Sequence, residues 1–289
     1  MSKMPRKSRF PRYYTPLQKF GALSLSSTAY IVLAFLMLPI IIIIPLSFNA
    51  EPFFTFTDGM LALDPTAYSV KWYVEIFEDD KWILAIKNSF LIGIAATLIA
   101  TFLGTFAAIG MSNSDMPFKR VIMAMLLSPM IVPLIITAAG MFFFYTKLNL
   151  AGTYLGVIIA HAVLGTPFVI ITVNAALAGF DYSLVNASLG MGAKPTYTFF
   201  KVIMPLIRPG VISGALFAFV TSFDEVVVVL FLAGPEQRTI PRQMFSGLRE
   251  QISPTILAVA TLLVVISALL LLTLEYLRAR AERIHSGEL

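Results

Sequence analysis

The sequence contains no cysteine and only two histidines, His161 and His285. Disulfides and thiolate metal sites are thereby excluded, and two histidines are too few for a zinc centre. Charge is also scarce, at 13% of residues against 58% hydrophobic. Soluble domains are about half apolar and about a quarter charged, so the chain reads as an integral membrane protein. No Gly-x-x-x-x-Gly-Lys-Ser/Thr phosphate loop occurs, so the chain does not bind and split nucleotide by itself. No Ser–His–Asp set or paired-carboxylate arrangement stands where water and substrate would meet. A net charge of +5 would suit nucleic acid only on a globular basic face, and no such face exists.

What the sequence has in abundance is long apolar runs, at about 22–48, 90–111, 121–145, 154–178, 210–233 and 254–277. They predict an all-α polytopic bundle of six transmembrane helices, one domain over 22–277 between tails at 1–21 and 278–289. The first run is too long for a signal-peptide core and lacks a small-x-small cleavage site, so it reads as an uncleaved span. The second is rich in small residues, including Gly93, Ala96, Ala100 and Gly104, which let helices approach closely. Pro129 and Pro133 interrupt the third, and Pro167 kinks the fourth, where protein or a cavity must satisfy the freed carbonyls.

Between the first two runs, Asn49 to Ser89 holds seven acids and the aromatics Trp72, Tyr73, Phe77 and Trp82, which suit an interfacial helix at headgroup level. Six spans put both ends on one side. Fourteen of the 21 Lys and Arg fall in the N-terminal segment, 112–120, 179–209 and the C-terminal tail. The positive-inside rule therefore places both termini and the 179–209 loop in the cytoplasm.

That loop is built for contact. Asp181 is placed to cap a short helix bearing Leu184, Val185 and Leu189, and Gly190 and Gly192 end it. Pro195 starts a second helix with Phe199, Phe200, Val202 and Ile203, and Pro205 is expected to stop it. Two apolar faces in water must be covered by the bundle itself, by the lipid interface or by a partner.

A different signal sits in the fifth run, where Asp224 and Glu225 lie about 14 residues from its start, or roughly 20 Å along a helix. Intramembrane acids cost at least a few kcal/mol, so they face the bundle interior, a water-filled path or a partner. Gly214, Ala218, Thr221 and Glu225 follow helical spacing as one small-and-polar stripe. The acids either line a path or serve structure, paired with an Arg of another subunit. A carboxylate pair favours a cation and repels an oxyanion. His161 is read as a structural hydrogen bond to a neighbouring helix, in preference to a proton relay.

The spacing of Asn186-Ala187-Ser188, then Gly192-Ala193, then Val202-Ile203-Met204-Pro205 resembles the EAA loop of ABC-transporter permeases. There a Glu-Ala-Ala is followed by a glycine and a hydrophobic-x-Leu-Pro run. Here Asn186 replaces the Glu, Ser188 the second Ala and Met204 the Leu. Ser222 to Val228, Gly234-Pro235, Ile240-Pro241, Ser253-Pro254, and Trp72-Tyr73 with Asn88-Ser89 are similar to the spermidine/putrescine class of type I importers.

The resemblance implies a permease of the bacterial inner membrane. It implies a heterodimer with a second homologous permease, two ATP-binding subunits that hold ATP and Mg, and an extracytoplasmic solute-binding protein. Asn186, Ala187, Ser188, Gly192, Ala193, Met204 and Pro205 would then form the coupling helix, and Thr221, Asp224 and Glu225 the path. This chain itself would carry no cofactor. Two rivals stand beside it: a secondary transporter or channel using Asp224 and Glu225 as a cation or proton site, and a non-transporting membrane scaffold.

Overall fold

The computed structural model describes residues 14–112, 116–250 and 253–285. The basic residues Lys3 to Arg12 lie outside them. Among the described residues no strand forms, and one isolated antiparallel bridge joins Asn49 to Tyr68. Helices follow in the order α1 Pro16–Leu46, α2 Asp58–Leu61, α3 Lys71–Glu78, α4 Asp80–Ser112, α5 Lys119–Ile131, α6 Leu134–Lys147 and α7 Tyr154–Ala178. Then come α8 Ser183–Gly190, α9 Pro195–Thr198, α10 Met204–Phe223, α11 Val227–Leu232, α12 Ile240–Glu250 and α13 Thr255–His285.

Four stretches are long and apolar enough to cross a membrane: Pro16–Leu46, Asp80–Ser112, Tyr154–Ala178 and Pro195–Phe223. The pair α5 and α6 makes a fifth only if taken together as one broken span; it is bent by 103° where Pro133 removes a backbone donor, a shape that a re-entrant loop shares. In α13 the apolar part among the described side chains is the shorter Thr255–Leu269.

The described chain divides into two units. In the first, residues 14–76 and 253–285, α1 opens on a capping box between Thr15 and Gln18 and packs beside α13. α1 buries only Leu46, as a helix made for an apolar surrounding does. Asn49 organises the segment after α1: its Nδ2 donates to the carbonyls of Phe53 and Thr55, at 3.1 Å each. Its own carbonyl accepts from Trp72 Nε1 at 2.7 Å. Ser47 and Tyr73 share a 2.6 Å hydroxyl contact, and Thr255 donates to Glu75 at 2.9 Å. The expected aromatic helix is α3, which carries Trp72, Tyr73 and Phe77; Trp82 belongs instead to α4, in the second unit, where it is buried.

The second unit, Phe77–Gln251, is a three-helix core of α4, α7 and α10. Small residues make the close approach possible. A Cβ at Gly104 would stand 2.6 Å from Val169 Cβ, and one at Gly214 would stand 2.8 Å from Val169 Cα. One apolar cluster gathers Ala96, Ala100, Ala108, Ala162, Val169, Val173, Ile207 and Ala218. A second, around Ile92, Tyr145, Val157, Leu164, Val228 and Leu232, seats α11 between α6 and α7.

Two expectations are corrected. Pro205 does not stop the second helix of the 179–209 loop: α9 passes through a π-helical turn, Phe199–Ile203, into α10 as one stretch, Pro195–Phe223. A proline ring crowds the carbonyl four residues back, and the wider π turn just ahead of Pro205 absorbs that crowding. Nor is the fifth run continuous. α10 ends at Phe223, and α11 restarts at Val227.

Candidate functional site

The first candidate region is the elbow formed by α8 and α9. Asp181 lies one residue ahead of Tyr182, which holds the N-cap of α8 without a side-chain capping bond, and accepts from the Ser183 N–H at 2.9 Å and from the Ser183 hydroxyl at 2.7 Å. The hydroxyl first, and then the N–H, hold the Asp181 carboxyl below the usual carboxylate range. At the far end Gly192 adopts φ +83°, a left-handed conformation that a Cβ resists. Gly190 is the last residue of α8 and has no positive φ.

Asn186 and Ala187 are exposed, and so are Leu184, Leu189 and Met191. Met191, with 83% of its surface open, and the two leucines form an apolar rim around the turn. Ser188 points the other way, buried, with its hydroxyl 2.9 Å from that of Thr198. Ala193 donates its N–H to the Ser188 carbonyl at 3.2 Å. Met204 is half-buried and Pro205 is exposed, both inside the continuous helix.

The second region is the break between α10 and α11. Gly210, Gly214, Ala218 and Ser222 form the buried stripe of α10. Thr221, assigned to that stripe from spacing, is half-buried beside it. Asp224 is exposed at the end of α10, and Glu225 is 8% exposed. The two adjacent acids therefore differ in surroundings. Glu225 accepts the Val228 N–H at 2.8 Å, so it caps α11 and satisfies a donor that the helix start leaves open. His161 on α7 is buried with Nδ1 2.8 Å from Ser222 Oγ, the contact to a neighbouring helix that its position suggests.

At the other end of the core lies a clamp that sequence reasoning left unassigned. Asn88 Nδ2 donates to the carbonyls of Glu236 and Arg238, at 2.7 and 2.9 Å, and Tyr154 Oη bonds to both Asn88 and Glu236. Ser89 accepts the Ile240 N–H, and Arg242 donates to the carbonyls of Ala233 and Gly234. Burial, with Arg238 nearby, lowers the Arg242 pKa from its ordinary value. The one signal in the sequence was a polar pair, Asn88-Ser89, placed where an apolar run begins. Among the described residues no group of three or more His, Cys, Asp or Glu could hold a metal ion.

The binding-protein-dependent transport system inner membrane component family matches residues 100–283. The chain is 30% identical over 238 residues to the spermidine/putrescine transport system permease protein PotC of Haemophilus influenzae, covering 82% of this chain and 90% of that protein. It is 31% identical over 260 residues to the putrescine transport system permease protein PotI of Escherichia coli, covering 86% and 88%.

A solved bacterial ABC transporter involved in the import of the acidic polysaccharide alginate superposes with a TM-score of 0.71 at 14% identity, over 92% of this chain and 99% of that one. An amino acid ABC transporter gives 0.52 at 16%, over 79% and 99%. At these identities the two structures speak to fold, which is that of type I importer permeases. Nothing in these relatives favours the secondary transporter or channel. The chain therefore belongs to the binding-protein-dependent transport system inner membrane component family, as a non-catalytic permease subunit of an ABC importer whose ATP is hydrolysed by a partner subunit.

Proposed function

We propose that the chain is one of two homologous permeases that together form the path for a polyamine or a similar small cationic solute. Two ATP-binding subunits, holding ATP and Mg, sit under the 179–209 loop, and an extracytoplasmic binding protein delivers solute to the outer loops, 49–89 and 234–253. The six expected spans occupy 22–277, and the tails at 1–21 and 278–289 are cytoplasmic.

The elbow carries this reading. A short helix with an exposed apolar rim, Leu184, Leu189 and Met191, is followed by a left-handed glycine turn, after which Pro195–Phe223 runs without interruption into a membrane span. Such a rim needs a partner to cover it. Asn186, Ala187, Ser188, Gly192, Ala193, Met204 and Pro205 form the coupling segment. ATP-driven closure of the motor subunits displaces the elbow, and the spans rock between outward-open and inward-open states.

Support for a cationic solute is the exposed carboxylate of Asp224 at the break in the span, with Thr221 beside it, together with the polyamines named for the relatives. Glu225 lines the path through its backbone and holds the break in shape. The test is reconstitution of the full assembly in proteoliposomes with its binding protein. ATP-dependent uptake of radiolabelled putrescine or spermidine supports the reading. Uptake driven by an ion gradient without ATP, or of neither amine, overturns it.

A further inference from the structure

The two limbs of the elbow are joined by more than backbone. The hydroxyls of Ser188 on α8 and Thr198 on α9 lie 2.9 Å apart, and both residues are buried. A buried hydroxyl without a partner is costly, so opening this contact would orphan two at once. Directly after Thr198 the helix adopts the π turn. Phe199, its first residue, stacks on Phe106 of α4 with 5.7 Å between ring centroids and 12° between planes. Ahead of α8, Tyr182 donates its hydroxyl to Ser112 at the end of α4, at 2.6 Å. The elbow therefore grips α4 at both of its own ends. Toward α10 it is joined through a π turn, a rare helical form that recurs at functional sites.

We propose that the Ser188–Thr198 contact and the Phe106–Phe199 stack form a transmission joint. Movement imposed on α8 passes into α4 as one rigid displacement, and the π turn lets α10 pivot against it. Thr198, Phe199 and Phe106 are thus positioning residues. The inference rests on the coupling role of the elbow and adds the route by which displacement leaves it. It also gives a purpose to Ser188, where the family pattern has alanine.

The cysteine-free chain adds no native thiol of its own to paired spin labels, for example at Leu103→Cys on α4 and Ile212→Cys on α10, both exposed, in an assembly whose other subunits are made cysteine-free. In the full transporter in nanodiscs, ATP with vanadate is expected to shift the distance between them. Thr198→Val lowers the shifted population about five-fold, the equilibrium weight of one buried hydrogen bond. Thr198→Ser restores it, and Ser188→Ala adds no further loss to Thr198→Val. A full-sized shift in Thr198→Val overturns the joint, and so does a Thr198→Ser variant as defective as Thr198→Val. A parallel cross-link from Leu184→Cys to the ATP-hydrolysing subunit separates the two levels. If the cross-link forms and the Thr198→Val shift is undiminished, only the joint fails; if no cross-link forms in the parent, the coupling role itself fails.

Discussion

His161 on α7 and Ser222 on α10 hold each other through Nδ1 and Oγ at 2.8 Å, two residues ahead of the break at Asp224. Both are buried, so the contact satisfies Ser222 Oγ and His161 Nδ1, while His161 Nε2 is buried without a hydrogen-bond partner. Ser222→Ala is expected to destabilise the assembly by about 1–3 kcal/mol, and Ser222→Thr by less. Thermal unfolding of the detergent-solubilised transporter measures this. An unchanged midpoint for Ser222→Ala would deny the pair its structural weight.

The adjacent acids separate into two roles. Glu225→Ala removes the cap of α11 and is expected to cost about 0.5–2 kcal/mol of stability, while Glu225→Gln keeps an acceptor and most of the cap. Asp224→Asn is expected to lower cation uptake roughly ten-fold, the scale of a charge-assisted hydrogen bond, with little change in unfolding midpoint. Equal loss for cationic and neutral solutes in Asp224→Asn would make that acid structural as well.

Gly192 tests the turn. At φ +83°, Gly192→Val places a branched side chain in left-handed backbone, at a cost of about 1–2 kcal/mol. Uptake per ATP hydrolysed is expected to drop, and Gly190→Ala, at a position without positive φ, is expected to leave the ratio close to the parent's. Similar ratios for Gly192→Val and the parent would show that the turn has no part in coupling.

Asp181 gives the elbow a pH dependence of known sign. Its folded carboxyl lies below the usual range because Ser183 donates twice to the ionised form. The support it lends to α8 is therefore complete above the ordinary carboxylate range and is lost as pH falls through the lowered value. The protection of the first turn of α8, its hydrogen exchange taken relative to the intrinsic base-catalysed rate at each pH, is expected to fall on acidification, and Asp181→Ala to remove that dependence. Protection that falls on raising the pH instead would contradict the assignment.

Much of this architecture is legible from residue order because membrane spans are long and uniform. Glycine at 192, proline at 195 and aspartate at 181 each act through local backbone chemistry, and each does what its type dictates. The run through Pro205 was hidden because nothing in the residue pattern announces a π turn. Likewise, apolar residues on both sides of Asp224 and Glu225 conceal a helix end that hydrogen bonds, and not hydropathy, create. Pairings such as Asn88 with Glu236, or Ser188 with Thr198, depend on which helices become neighbours, which periodicity does not encode.

The central claim is that a separate motor acts on the membrane spans through α8. Single cysteines at Leu184 and Leu189, in the otherwise cysteine-free chain, can be cross-linked in the intact membrane-embedded transporter and compared with one at Leu63 after α2. The account predicts adducts with the ATP-hydrolysing subunit from the two α8 positions and none from Leu63. Absence of any such adduct from α8, in a transporter that still hydrolyses ATP, would contradict it.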